Sequence, residues 1–297
     1  MNADCGDGRM WTASKIKTVP FLGLGEDLMT EHSMTIGKVE LVSLTDGGMG
    51  PAATDFFPDS TMDTWRSEFP ELLDTDGNIG LRLGSLAVRS GGKLVIVDTG
   101  MQFPDGSGTL MTDMAEKGVD RVAVDLVVMT HLHADHVGWN LTNGAPTFPN
   151  ARYLVPRTDW DYWTQPDVLA SAEHVQNQVL PLEKLNIMDL IEDDYSITDD
   201  LTTIATPGHT PGHISIVIVS SGERGFILGD VVHSPAQAHL TDWNPSFDID
   251  GETSRKTRHA ILSQLESDRS VVASGHFPDP GFGKFVRESG RRIWQGV

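Results

Sequence analysis

The chain has 297 residues, 39% hydrophobic and 22% charged, the make-up of a soluble globular protein long enough for a sizeable packed core. Its 42 acids against 22 bases leave a formal charge of −20, which repels phosphate backbones and argues against a nucleic-acid partner. The single cysteine, Cys5, excludes an internal disulfide and fits a reducing compartment. No run approaches the ~20 apolar residues of a membrane span, and Asp4 and Asp7 stand where a secretion signal would be basic. A cytoplasmic protein with no membrane partner is expected.

Residues 1–34 show weak periodicity and read as an N-terminal arm or extension; residues 35–297 read as one domain, with no repeat and no Pro- or Ser-rich linker. TIGKVELVSL, from Thr35, reads as a strand ended by a turn at Asp46–Gly48. Residues 50–65 read as a long loop with three exposed aromatics, Phe56, Phe57 and Trp65. LRLGSLAVRS and KLVIVDTG are strands joined by a Gly91-Gly92 turn, a hairpin signal. GSGTLMTDMAEKG suggests a helix ending at Gly118. DLVVMT and ARYLV are short strands, TDWDYW is helical, and a helical stretch runs from Asp167, as N-cap, to Leu185. LTTIAT, ISIVIVS and GFILGD are strands; a helix follows from about Glu252 to Leu265, and SVVAS is a last strand. Each half therefore carries several strands and then helix. Two sheets, each covered by helices on its outer face, would bury them in one domain. Patterning by itself specifies mixed α/β.

Patterning does not explain HLHADH, where His131, His133, Asp135 and His136 crowd the end of a strand. Neutral imidazole binds zinc well and carboxylate completes such sites. Alternate residues of an extended segment point the same way, so His131 and His133 can grip one cation. Asp135 and His136 follow where the chain turns and can reach a second. Further ligand types stand just past other strands: His209 in TPGHTPGH, Asp230 at the end of GFILGD, and His276 in SGHFPDPG. Open α/β sheets collect ligands beyond strand ends, and Asp230 is the natural bridge between two cations. No GxSxG elbow, phosphate loop or GxGxxG fingerprint offers another chemistry.

Over residues 35–297 the chain resembles the metallo-β-lactamase superfamily, whose HxHxDH signature is here HLHADH, followed in order by TPGHTPGH, a GD after an apolar strand, and a terminal histidine. The resemblance implies an αββα sandwich of two mixed β-sheets flanked by helices, with a dinuclear metal site at one edge. Carried over by position, His131, His133 and His209 would hold the first metal, Asp135, His136 and His276 the second, and Asp230 would bridge. Two Zn(2+) per chain are expected, with Mn, Fe or Co fitting the same set. Asp98 in VDTG would support the histidine loop from behind, and His213 would stand outside the ligand set.

FPNARYLVPRTDWDYW and GHFPDPGFGKFV resemble the lactonase and methyl-parathion-hydrolase-like branch, which is often dimeric, so a homodimer is expected. That branch implies a hydroxide shared by two metals that cleaves a lactone or carboxylic ester; phosphotriesters are the alternative, and a β-lactamase or a non-catalytic metal-binding module are remoter ones. Asp135 or Asp230 would move the proton to the leaving group. Quorum-quenching lactonases often carry a tyrosine three positions after the bridging aspartate. Here His233 stands there, a candidate donor to the carbonyl oxygen. Phe103, Trp163 and Trp243 are the candidate wall of an apolar pocket for a neutral small molecule.

Overall fold

The computed structural model describes residues 32–297 except Pro104. The expected arm lies outside the described residues apart from its end, where Ser33 and Met34 already pair in the first strand.

Among the described residues two seven-stranded sheets carry the fold, one from each half of the chain. In spatial order, the first is Ser33–Ile36, Val39–Met49, Leu81–Ser90, Lys93–Val97, Leu126–Val128, Arg152–Pro156 and Met188–Ile191. The second is Ser196–Thr198, Leu201–Ala205, Ile214–Ser220, Glu223–Ile227, Val271–Ala273, Phe282–Glu288 and Arg291–Gly296. Both mix antiparallel hairpins with parallel pairs; Lys93–Val97, Leu126–Val128, Arg152–Pro156 and Met188–Ile191 run parallel, as do Glu223–Ile227 and Val271–Ala273.

The two-residue alternation of the strands builds the layers. Val95 and Val97 face inward and meet Ile214, Ile216 and Ile218 of the opposite sheet in the central core. Leu94 and Ile96 face outward, onto Leu110 and Met114 of the helix Leu110–Glu116 and onto Val175 and Leu182 of two later helices. On the far side, the helix Gly251–Asp268 presents Ser254, Arg258, Ile261, Leu262 and Leu265, a single face at helical spacing. Its apolar residues close over Phe226, Val272 and Phe285. The result is the expected αββα sandwich.

Several elements differ from expectation. TIGKVELVSL is a hairpin, Ser33–Ile36 and Val39–Met49, turning at Gly37. The second strand continues through Asp46–Gly48 as a register shift in place of a turn. The expected loop at 50–65 holds the helices Ala53–Phe56 and Met62–Glu68, and Phe56, Phe57 and Trp65 are buried with Trp243 in a cluster of their own. Asp167 is not an N-cap: Gln165 occupies that position, without a capping side-chain bond, before a helix opened by Pro166, and the stretch breaks into Pro166–Leu169, Glu173–Gln178 and Leu180–Lys184. A final hairpin follows the strand read as last. Among the described residues no helix is long and apolar enough to cross a membrane.

Candidate metal centre

The carboxyl ends of the parallel strands converge at one edge of the sandwich, and the histidines are there. Six of the 11 histidines are buried (His131, His136, His209, His213, His233 and His276), and all six belong to this one cluster, which sets them apart from scattered structural residues.

Four overlapping groups of candidate ligands form among the described residues; two hold the expected sets, and the others join Asp230 to His131 and His136 and to His209 and His233. His131 Nε2 lies 3.0 Å from His133 Nδ1, which lies 2.8 Å from His209 Nε2. Asp135, His136 and His276 offer a second convergent set. Between them stands Asp230, whose Oδ2 is 3.8 Å from His131 Nε2 and 3.3 Å from His209 Nε2 on one side. On the other side it is 3.3 Å from His136 Nε2 and 3.1 Å from His276 Nε2.

The rear nitrogens show what the front ones are. His209 Nδ1 donates to Asp248 Oδ1 at 2.9 Å, His136 Nδ1 to Asp98 Oδ2 at 2.8 Å, and His276 Nδ1 to the Arg82 carbonyl at 2.8 Å. His131 Nδ1 faces the Thr130 hydroxyl at 3.0 Å. With the proton held at the rear, a neutral ring directs its front lone pair at the other rings. Lone pairs cannot bond to one another, so a proton or a metal cation must lie between facing donors, and this donor set fits divalent metal. Burial pushes the His131 and His133 imidazoles well below their usual pKa, towards the neutral form that ligates; at His136, His209 and His276 burial works the same way but the facing carboxylates outweigh it, raising His209 to about 9 and the other two above their usual value. Burial also opposes the charge on Asp230, but His136, His276 and His233 hold its carboxyl well below the usual range.

The supports are built into the backbone. Asp98 takes a left-handed conformation (φ 60°), a cost of about 1–3 kcal/mol. It accepts from the Thr130 amide at 2.7 Å as well as from His136, locking the start of HLHADH to its end. His213 stands behind the first group: its Nε2 accepts the Asp230 amide at 2.8 Å, and burial lowers its pKa to about 3. Gly229 passes so close that a Cβ would lie 2.5 Å from the His213 ring.

Residues 85–276, more than half of the chain, match the family described as the Metallo-beta-lactamase superfamily. The chain belongs to that superfamily.

Among relatives of this metallo-β-lactamase-fold protein, the N-acyl homoserine lactonase AttM of Rhizobium radiobacter is 30% identical over 171 residues, 54% of this chain and 61% of that protein. AttM of Rhizobium johnstonii (strain DSM 114642 / LMG 32736 / 3841) is 35% identical over 170 residues, with 54% and 61% covered. The chain thus spans less than two thirds of the length of these relatives. Among solved structures, the hydrolase AbOPH superposes with a TM-score of 0.83 at 23% identity, covering 92% of this chain and 99% of that one. AidC, a dizinc quorum-quenching lactonase, superposes at 0.78 and 22% identity, covering 89% and 96%. At such identities the two structures share the fold.

Of the other expected site residues, His233 lies inside the superfamily centre. Its Nε2 is 3.1 Å from Asp230 Oδ2, and its ring stacks on His276 with centroids 5.2 Å apart. Trp163 sets its ring against His133 at 5.4 Å. Phe103 is buried beyond the strand that delivers Asp98. Trp243 has its ring contacts with Phe57, Trp65 and Phe69, inside the packed aromatic cluster.

Three carboxylates were not anticipated. Asp248 holds His209 and is itself held by the buried Arg258, Nη2 to Oδ2 at 3.3 Å. Asp159 accepts the Leu132 amide at 2.8 Å and the Gly212 amide at 2.9 Å, tying HLH to TPGHTPGH. Asp46 accepts from the Met101, Gln102 and Leu110 amides and the Trp139 indole, at 2.8–3.1 Å. The only sequence signal was that each is an acid inside or beside an apolar run.

Proposed function

We propose that this protein is a metal-dependent hydrolase that cleaves a lactone or carboxylic ester of a neutral, fairly apolar small molecule at a two-ion centre. One observation carries the reading: six ligand side chains face inward in two groups, with a single carboxylate oxygen between them. His131, His133 and His209 would hold one cation, Asp135, His136 and His276 the other, with Asp230 shared. Bound there, two divalent cations supply Lewis acidity towards the substrate carbonyl and activate water at neutral pH. Zinc is the first choice for this donor set, and the dizinc AidC shares the fold.

The chain's own groups do the rest. Asp135 is more open than Asp230, with 18% of its side chain exposed against 4%, so it is the better placed to carry a proton to the departing alkoxide. His233 directs Nε2 at Asp230 Oδ2 and steadies the bridging carboxylate; donation to a substrate carbonyl oxygen would need the opposite tautomer. Phe56 sits 5.6 Å from the His233 ring and 5.8 Å from Phe247. Phe247 is 44% exposed and Ile249 39%. Phe56 is packed, so the exposed Phe247 and Ile249 are the apolar surface beside the centre that would meet a hydrocarbon arm on the substrate. The lactonase names of the relatives agree with a cyclic ester.

The test measures metal content and initial rates together, with a γ-lactone, a long-chain acyl lactone, a p-nitrophenyl ester and a phosphotriester, and with His131→Ala as control. About two ions per chain, lactone or ester turnover, and its loss in the variant would support the proposal. A rate indifferent to His131→Ala would overturn it, and a preference for the phosphotriester would correct the substrate class.

A further inference from the structure

We propose that Arg82 is a positioning residue whose guanidinium sets the affinity of the second cation alone, by fixing the loop that orients His276. The inference rests on the two-ion reading above. Arg82 belongs to the strand Leu81–Ser90 of the first sheet, whereas His276 follows the strand Val271–Ala273 of the second. Arg82 spans the gap. Its guanidinium donates to the Ser274 carbonyl at 2.7 Å and the Phe277 carbonyl at 3.1 Å, on either side of His276 in the chain. It also donates to the Leu44 carbonyl at 3.1 Å and the Ser43 hydroxyl at 2.8 Å, and that hydroxyl donates to the Pro280 carbonyl at 2.6 Å. Its own carbonyl takes the His276 Nδ1 proton at 2.8 Å, which leaves Nε2 with the lone pair a metal needs.

Arg82 and Arg258 are the only buried arginines among the described residues, and Arg82 is 4% exposed. Desolvating a cation costs several kcal/mol, more than packing two sheets requires, since apolar side chains do that elsewhere in the sandwich. The nearest carboxylate, Asp279, is 3.8 Å away and 28% exposed, so backbone carbonyls carry much of the charge compensation. The loop closes directly on the guanidinium: at Gly281 (φ +77°) a Cβ would stand 2.3 Å from Arg82 Nη2. The other ligands have separate supports, Thr130 for His131, Asp98 for His136, and Asp248 for His209. Loss of the Arg82 contacts therefore falls on His276 and spares the first group.

The experiment titrates the metal-free full-length chain with zinc against a competing chelator, resolving the two equivalents, and follows cobalt loading by its d–d absorption. The proteins are wild type, Arg82→Lys, Arg82→Met and Asp248→Asn. Lysine keeps the charge and reaches one carbonyl, so it guards against simple misfolding of the methionine variant. Arg82→Lys is expected to weaken the second equivalent about 10-fold or more, the usual effect of losing a ligand's support, with the first within about threefold and the cobalt spectrum of the second step altered. Asp248→Asn is expected to show the reverse pattern. Unchanged titrations in Arg82→Lys, or both equivalents weakening in step, would overturn the proposal. A wild-type chain that takes up fewer than two ions would overturn the two-ion reading and this inference with it, and needs no variant to recognise.

Discussion

Asp159 is 0% exposed, and its two oxygens take one amide each from the two loops that deliver the first ligand group, Leu132 beside His131 and His133, and Gly212 near His209. Burial pushes its pKa up, against the hydrogen bonds it accepts. Gly212 crosses so near that a Cβ would lie 2.0 Å from the Asp159 amide nitrogen, so the loop has no room to shift and find another acceptor. Asp159→Asn keeps the shape but turns one acceptor into a donor, leaving one buried amide without a partner at a cost of about 1–3 kcal/mol. Asp159→Ala orphans both, roughly 2–6 kcal/mol by the same measure, against a total stability of about 5–15 kcal/mol for a typical domain. Denaturant unfolding of the metal-free variants should show the midpoint falling at unchanged slope. Zinc titration should show the first equivalent weakened. If Asp159→Asn unfolds within about 0.5 kcal/mol of wild type and binds its first ion equally well, the two loops are held by something else and the reasoning fails.

Chelation of the metal followed by a thermal melt should lower the transition and zinc should restore it; each ion present at 100 times its Kd adds about 2.7 kcal/mol, and an unaltered melt would mean the centre holds no metal. Trp243→Ala should cost about 3–5 kcal/mol, as for an aromatic deleted from a core, and should weaken the first zinc equivalent through Asp248 while leaving the order of preference among small esters unchanged; a stable variant with altered substrate preference would return Trp243 to the pocket. Asp46→Ala strands three buried or half-buried amides and the Trp139 indole, so limited proteolysis should cut faster just after Gly100, and an unchanged digestion pattern would refute the anchoring role.

The residues that gather at the candidate centre were legible because a cluster of histidines and aspartates leaves a local mark. Histidines and aspartates directly after strands are costly to bury unless something binds them, and the strands themselves were announced by alternation. The supports leave no such mark. Asp159 sits in TDWDYW, which reads only as a helix, yet its partners are backbone amides 27 and 53 residues away; an amide carries no side-chain signature, so nothing in the sequence pairs them. Arg82 reads as an ordinary polar residue in an alternating strand, while its acceptors at Ser274 and Phe277 lie 192 and 195 residues on. The terminal hairpin was a different kind of miss: Ser289-Gly290, with φ 49° and 85°, is a turn dipeptide between Phe282–Glu288 and Arg291–Gly296, and the signal was present but unread.

Phe56, Phe57 and Trp65 mark a third case. A Pro- and Asp-rich stretch gives no period from which burial can be read, so aromatics there look exposed. Burial is decided by what the second half of the chain lays over them, and Trp243 is part of that cover, 6.0 Å from Phe57 and 5.0 Å from Trp65. The Ser246 amide also donates to the Phe56 carbonyl. The segment that carries Trp243, Ser246 and Phe247 continues into Asp248, which holds His209. One stretch of chain therefore closes an aromatic cluster at one end and positions the candidate ligand His209 at the other. Packing around Phe56 and the geometry of His209 are thus mechanically joined, and a substitution in the cluster should reach the candidate metal centre through Asp248 before it reaches it through the sheets.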